Sequence, residues 1–313
     1  MTVDLASNLD VLELKKAHIY LRSAKAVFSP SGGFSALAAT AEHPVLECVT
    51  SKCRAVISLQ GAQLLSFIPT GKQELLWLSP LATFKPGDAI RGGIPLCLPW
   101  FGLNRRQPEL PKHGVARTQF WALDDVSQDD DETLNLRLVF NPSSDDLEMF
   151  PYPFSAQLNV SMGDALRLSL VIKNEGAYAM PLSFAMHSYF AVSDVRAVKI
   201  EGVEGREYLD NCRDLARFVQ DESLQFDGEI DRVYETVGGC QAIIDGSRQI
   251  KIDGSACDTV VIWNPGETLA GTMADVGSYY RDYVCLERGM AFGDELELAA
   301  GDVARATMQL SPN

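Results

Sequence analysis

A mainly β protein, its antiparallel sheets packed as a sandwich or a barrel, is the fold this sequence predicts. Three observations carry that reading. Apolar and polar residues alternate over stretch after stretch, glycine-rich turn signals separate the stretches, and helical periodicity is rare. The clearest alternation is Leu134, Leu136, Leu138, Phe140, followed by Phe154, Ala156, Leu158, Val160, Met162. Gly163-Asp164 interrupts it, and Leu166, Leu168, Leu170 and Ile172 resume it, the signature of a hairpin with one buried face. Further strands are expected at 44–50, 54–69 (bent at Gly61), 116–124, 195–203, 241–245, 249–253, 258–263, 282–287 and 302–310. Asp245-Gly246, Asp253-Gly254, Asn264-Pro265-Gly266 and Gly238-Gly239 mark turns between them. Many short strands at this spacing argue against βαβ units.

Residues 8–22 put Leu9, Leu12 and Ile19 on one side and Lys15 and Lys16 on the other, which predicts a short helix; 212–219 predicts a second. The acidic run 127–132 reads as a solvated hairpin tip. No linker, repeat or low-complexity segment interrupts the chain. One domain over 1–313 is expected, with an N-terminal segment 1–43 (a short helix and an edge strand) ahead of a β-sandwich over 44–310.

Composition narrows the function. With 27 Lys+Arg against 42 Asp+Glu the net charge is −15, which opposes a nucleic-acid partner, since such a partner needs a basic surface to displace counterions. At 46% hydrophobic and 22% charged the 313-residue chain is ordinary globular material, long enough to bury a large core. No apolar run exceeds four residues, whereas a membrane-spanning helix takes roughly 20. Met1-Thr2-Val3-Asp4 carries neither a basic n-region nor an apolar h-region, so no secretory leader is expected. Seven Cys without a C-x-x-C pair point to reduced thiols and a cytoplasmic protein. His18, His43, His113 and His187 are widely separated, so no zinc site is expected.

Four segments have the residue types that chemistry needs. The first runs Ile90-Arg91-Gly92-Gly93-Ile94-Pro95-Leu96-Cys97-Leu98-Pro99-Trp100-Phe101-Gly102, whose prolines and glycines forbid a regular strand interior or helix. Glycines beside an arginine let backbone approach a ligand closely; the same pattern also fits a rigid turn with a solvated Arg. The second is Lys112-His113-Gly114-Val115-Ala116-Arg117. Charge inverts locally here: Lys85, Arg91, Arg105, Arg106, Lys112 and Arg117 face only Asp88 and Glu109, a patch of +4 in an acidic chain. Such a patch can focus its field on a small anion, and Arg grips phosphate as a fork; scattered surface cations are the plainer alternative.

The third segment is Ser183-Phe184-Ala185-Met186-His187-Ser188-Tyr189-Phe190. Read as a strand, it puts Leu182, Phe184, Met186 and Phe190 on one face and His187 on the other beside small residues, which suits a groove-facing acid or base as well as a hydrogen-bonded histidine. The fourth is Asp282-Tyr283-Val284-Cys285-Leu286-Glu287-Arg288-Gly289. A carboxylate ending an apolar strand is partly desolvated, which raises its pKa toward that of a useful base; a salt bridge with Arg288 is the structural alternative. Asp231 and Asn264 are weaker candidates, as sugar-hydroxyl acceptors or simply turn caps.

Taken in order, these stretches resemble the aldose 1-epimerase superfamily, and within it the hexose-6-phosphate mutarotase branch. The likeness runs from about residue 44 to 310. It rests on Leu75-Leu76-Trp77-Leu78-Ser79, Arg91-Gly92-Gly93-Ile94-Pro95, Pro99-Trp100-Phe101-Gly102, His113-Gly114-Val115-Ala116-Arg117, His187-Ser188-Tyr189-Phe190, Asp231-Arg232-Val233-Tyr234, Trp263-Asn264-Pro265-Gly266 and the strand ending at Glu287. The resemblance implies a large antiparallel β-sandwich of the galactose mutarotase-like type, with substrate in a cleft on one sheet. It makes His187 and Glu287 the catalytic pair and Arg91, His113, Arg117 and Asp231 the substrate-binding residues. Lys112, where Gln is common, together with Trp100 and Tyr189, is a candidate phosphate or sugar contact. Arg288-Gly289 replaces the small or Pro residues usual after the Glu.

The activity implied is interconversion of the α and β anomers of a hexose 6-phosphate by ring opening and reclosure, with Glu287 as base, protonated His187 as acid, and no metal or cofactor. The expected partner is a small-molecule substrate, with no nucleic acid and no membrane, and the protein a monomer or weak dimer. An epimerase for unphosphorylated aldoses would share the acid–base pair without needing paired arginines. A non-catalytic carbohydrate-binding sandwich could use Trp100, Phe101, Tyr189 and Trp263 as platforms.

Overall fold

The computed structural model describes residues 14, 16–28, 43–104 and 107–313. Alternation becomes pairing as the sequence predicts. Leu134–Phe140, Phe154–Met162 and Leu166–Asn174 run antiparallel with Leu136 opposite Val160 and Val160 opposite Leu168, so every inward residue meets another. These strands belong to a nine-stranded sheet completed by Ala122–Gln128 at one edge and, on the other side, Val303–Pro312, Arg248–Ser255, Gly239–Asp245, Lys199–Glu201 and Leu224–Gln225. The acidic tip is the turn between Ala122–Gln128 and Leu134–Phe140, and it is not purely solvated: Lys52 Nζ lies 3.3 Å from Asp131 Oδ2.

An eight-stranded sheet faces it. Its order is Ala216–Val219, Glu207–Asp210, Ile230–Tyr234, Thr259–Asn264, Tyr283–Met290, Phe184–Met186, Leu96–Cys97, with Tyr189–Ala191 also paired to Tyr283–Met290. Val260, Ile262, Val284, Leu286, Phe184 and Phe190 of this sheet share one apolar cluster with Leu136, Leu158, Leu170 and Met308 of the other. Each such side chain fully buried contributes about 1.5–3 kcal/mol, and together they hold the sandwich closed. Ala17–Ser23, Pro44–Thr50, Cys53–Ser58 and Leu64–Pro69 form a third, four-stranded sheet whose Leu46, Ile57 and Phe67 enter the same cluster.

The pleat decides what the outer face of the eight-stranded sheet carries. Asp231 pairs with Trp263 and Trp263 with Cys285, while Val233 pairs with Val261 and Val261 with Glu287. Asp231, Trp263 and Glu287 therefore stand on one face, opposite the core-facing Ile262 and Leu286.

Several expectations fail locally. Ala17–Ser23 is an edge strand paired antiparallel to Pro44–Thr50, not the end of a helix; Leu9 and Leu12 lie outside the described residues. The open backbone edge of Pro44–Thr50 supplies hydrogen bonds that a short amphipathic turn cannot match. Nor is 212–219 helical. A 3₁₀ turn, Asn211–Arg213, leads into Ala216–Val219, which pairs with Glu207–Asp210. Asp214 and Leu215 both have positive φ (52° and 60°), which ends any helix and turns the hairpin. The strand expected at 116–124 starts later, at Ala122, after a 3₁₀ turn at Ala116–Thr118. The 182–190 strand is broken at His187-Ser188, where His187 N–H donates to Pro95 O at 2.9 Å. Its side-chain pattern nevertheless holds, with Leu182, Phe184, Met186 and Phe190 all in the core. All seven cysteines are free. Among the described residues no helix is long and apolar enough to cross a membrane.

The alternation also separates Glu287 from Arg288, so the salt bridge offered as the structural alternative does not form. Arg288 points into the sandwich at 0% exposure, with Nε donating to Cys257 O at 3.0 Å and Nη1 to Gln241 Oε1. Gly289, next along, opposes Ala185, and a Cβ on it would lie 2.1 Å from Phe184 O. Gly289→Ala should therefore push apart the strands that lead to His187 and Glu287 and lower the unfolding free energy by about 1–3 kcal/mol. Urea unfolding followed by tryptophan fluorescence measures this; an unshifted midpoint would contradict the close approach.

Candidate functional site

On the outer face of the eight-stranded sheet lies a cleft of ≈ 750 Å³ that Arg91, Lys112, His113, Arg117, His187, Asp231, Trp263 and Glu287 all line. Residues scattered over nearly 200 positions of sequence thus converge. At its centre His187 Nδ1 is 3.3 Å from Glu287 Oε1, though not aligned as a hydrogen bond. The pair is 8% and 2% exposed, and His187 Nδ1 and Glu287 Oε2 are both buried without a hydrogen-bond partner. Burial, then the neighbouring His113, Arg117 and Arg91, each of which opposes a second positive charge here, holds the imidazole well below its ordinary pKa. Burial, then the Asp231 carboxylate, holds Glu287 well above its own, against the pull of Arg117. In the unliganded cleft both groups are accordingly driven toward their neutral forms.

His113 occupies a left-handed position (φ 70°) followed by Gly114 (φ 71°), where a Cβ would fall 2.0 Å from Leu98 O. The resulting turn aims the ring into the cleft. Gly102 N–H donates to His113 Nδ1 at 3.3 Å, which assigns the proton to Nε2 and makes it a donor. Burial and the neighbouring Arg117, Lys112 and Arg91 push its pKa down to about 3, so it stays neutral. Asp231 Oδ1 accepts from Asn211 Nδ2 at 2.8 Å; burial first, with Glu229 and Asp210, raises its pKa.

Arg91 is held on two sides. Its Nε donates to Asp275 Oδ2 at 2.9 Å and its Nη1 to the Tyr189 hydroxyl at 3.0 Å. The glycines after it serve the fold, not a ligand as the sequence invited: a Cβ on Gly92 would meet Trp77 O at 2.5 Å and one on Gly93 would meet Leu64 O at 2.1 Å. Arg117 Nη2 donates to Lys112 O at 2.9 Å, while its Nε is buried with no protein acceptor.

Two expected contacts sit elsewhere. Trp100 is off the cleft wall: its Nε1 donates to Pro111 O at 3.0 Å, and its ring lines a neighbouring cavity of ≈ 380 Å³ with Phe150 and Tyr152. Tyr189 is buried behind His187, its ring parallel to the imidazole (3°, centroids 4.8 Å apart), with its hydroxyl engaged by Arg91. Sequence reasoning missed Asn211, Glu229, Leu269 and Met273 on the cleft wall, and Asp275 behind Arg91. Leu269 sits in the short helix Gly266–Ala270 and the others on turns and connections, without a local signal. Among the described residues no three His, Cys, Asp or Glu side chains are grouped to hold a metal ion.

Comparison with known proteins agrees with this fold. The family model described as aldose 1-epimerase matches residues 45–311. A protein of Cenchrus ciliaris named "Putative glucose-6-phosphate 1-epimerase" is 36% identical over 275 residues, covering 83% of this chain and 81% of its own length. One of the same name from Salmonella typhimurium is 36% identical over 238 residues, covering 75% and 79%. A solved structure from Salmonella typhimurium, described as a putative mutarotase, superposes with a TM-score of 0.79 at 32% identity, over 86% of this chain and 90% of that one. A galactose mutarotase-like protein of Clostridium acetobutylicum, at 14% identity and TM-score 0.71 over 96% and 99%, shares the fold. The chain belongs to the aldose 1-epimerase family, and is an isomerase acting on a small sugar substrate.

Proposed function

We propose that the protein interconverts the α and β anomers of D-glucose 6-phosphate, with His187 and Glu287 as the acid–base pair and Arg91 and Arg117 as the phosphate anchor. The observation that carries this is the 3.3 Å approach of His187 Nδ1 to Glu287 Oε1 inside a cleft lined by Arg91, Lys112 and Arg117.

Anomer exchange needs a base at the C1 hydroxyl and an acid at the ring oxygen. Both oxygens are bonded to C1, so two neighbouring groups can serve them together. Glu287 takes the hydroxyl proton, the C1–O bond gains its second pair, the C1–O5 bond breaks, and O5 takes a proton from His187. Rotation about C1–C2 and the reverse sequence close the other anomer. Each positioned transfer is worth roughly 10²–10⁴ in rate.

The working form, His187 charged and Glu287 ionised, holds the same single proton as the neutral pair favoured in the unliganded cleft. A bound phosphate dianion cancels the Arg91 charge, which disfavours protonated His187 and is not among the charges acting on Glu287. It thereby shifts the shared proton toward the imidazole. Arg117 Nε, a buried donor without a protein acceptor, supports an anion at this wall. Neutral His113 and Asp231 serve the sugar hydroxyls as donor and acceptor. A cytoplasmic location fits the seven free thiols.

Glu287→Gln and His187→Asn should each cut α/β exchange of glucose 6-phosphate, read by NMR exchange spectroscopy, by about 10²–10⁴-fold with binding retained. Near-full rate in either variant would refute its assignment.

Arg91→Ala and Arg117→Ala should each raise KM for glucose 6-phosphate by roughly 10-fold or more and erode its advantage over glucose. Unchanged discrimination between the two sugars would remove the phosphate anchor.

In the ligand-free protein both imidazoles should remain neutral at pH 6, where a free one is largely charged. Below pH 6.5 the unfolded chain gains protons at His113 and His187 that the folded chain refuses, so these two histidines lose their contribution to stability as the pH falls, while Glu287, protonated first in the folded chain, works in the opposite sense. Ring-carbon NMR titration tests this, and a His187 midpoint at or above 6.5 would contradict it.

A further inference from the structure

Arg91 is positioned by a residue that reaches neither the cleft nor any motif in the sequence. Asp275 lies in the turn between the helix Gly266–Ala270 and the 3₁₀ turn Gly277–Asp282. The turn is pinned, with Ser79 Oγ donating to Asp275 O at 2.6 Å, so the carboxylate that accepts from Arg91 Nε at 2.9 Å is fixed. On the far side Arg91 Nη1 reaches the Tyr189 hydroxyl, itself buried against the His187 ring. Two fixed acceptors on different elements thus hold the guanidinium and leave its Nη2 edge for the cleft.

We propose that Asp275 is a specificity-determining residue, whose carboxylate orients Arg91 and offsets its charge, so that the cleft grips the anionic end of a phosphosugar only moderately. This rests on the phosphate-anchor reading above and deepens it. An anion docking on the Nη2 edge comes to rest beside a like charge. The two side chains of the ion pair are 26% and 36% exposed, so water and salt damp the repulsion without abolishing it. An anchor of two unopposed arginines would favour the phosphate equally in bound substrate and transition state, deepening binding without raising turnover. Asp275 limits that uniform binding.

Asp275→Asn keeps an oxygen acceptor for Arg91 Nε and removes the charge. Isothermal titration calorimetry with inorganic phosphate should show about five-fold tighter binding than the wild type at low salt. The gap should close near ~0.5 M salt, because the effect is electrostatic. KM for glucose 6-phosphate should fall in the same proportion, with no matching rise in kcat. Asp275→Ala, which also removes the acceptor, should lose part of that gain. Equal or weaker phosphate binding by Asp275→Asn, or a gain indifferent to salt, would overturn the proposal and leave Asp275 a loop anchor. Absence of phosphate binding by either protein would overturn it together with the anchor. Tighter binding as expected, in a protein that fails to exchange anomers, would sustain it while refuting the activity.

Discussion

An acid and a base held side by side out of water are the constraint on which this structure turns. At 3.3 Å, with two buried atoms lacking partners, His187 and Glu287 form an arrangement that folding alone would not favour. A flexible frame would relieve it by swinging either side chain into solvent. The frame is not flexible: Glu287 projects from the strand Tyr283–Met290, paired on both sides, and His187 stacks on the buried Tyr189 ring at the break between two strands paired to it. The large core offsets the local cost and keeps the pair preorganised.

The cleft around them is polarised. Arg91, Lys112 and Arg117 give one set of charges, while Asp231, Glu229 and Glu295 give the other. A chain of net charge −15 repels anions at long range, yet the local cations act within a Debye length of roughly 10 Å, where they outweigh the distant carboxylates. The same cations depress the basicity of His113 and His187, so in the proposed reaction binding and proton transfer would be linked through one field. Asp275 moderates that field at Arg91.

What could be seen in the sequence followed from short-range rules. Period-two alternation exposes a strand whatever it pairs with, and the hairpin through Leu134–Asn174 is as expected. The same alternation set Glu287 apart from Leu286, and His187 apart from Phe184 and Met186. The +4 patch supplied Arg91, Lys112 and Arg117 to the cleft. Features fixed by distant partners stayed hidden. Asp275 meets Arg91 across 184 residues, and nothing in either neighbourhood announces the contact. Gly92 and Gly93 advertise close approach, but only tertiary structure tells whether backbone or ligand does the approaching. The 17–23 and 212–219 segments failed for a related reason: marginal helical spacing yields to an available sheet edge or to paired left-handed residues.

Arg288 shows what the strand requires behind Glu287. Successive residues of one strand carry buried charge-bearing groups on opposite faces, one toward the cleft and one into the sandwich. A lone guanidinium in a core is destabilising, but this one donates from Nε to Cys257 O and from Nη1 to Gln241 Oε1, and its Nη2, without a hydrogen bond, lies 4.0 Å from Asp258 Oδ1. Gln241 belongs to the nine-stranded sheet, so Arg288 ties that sheet to the back of the strand that bears Glu287. Gly254 in the same sheet leaves room, since a Cβ there would lie 2.5 Å from Arg288 Nε. A pure hydrocarbon contact at this point would resist separation of the sheets but permit sliding. Directional bonds from Arg288 resist both, and the carboxyl group proposed to meet one oxygen of a rotating sugar would depend on a strand that does not slide.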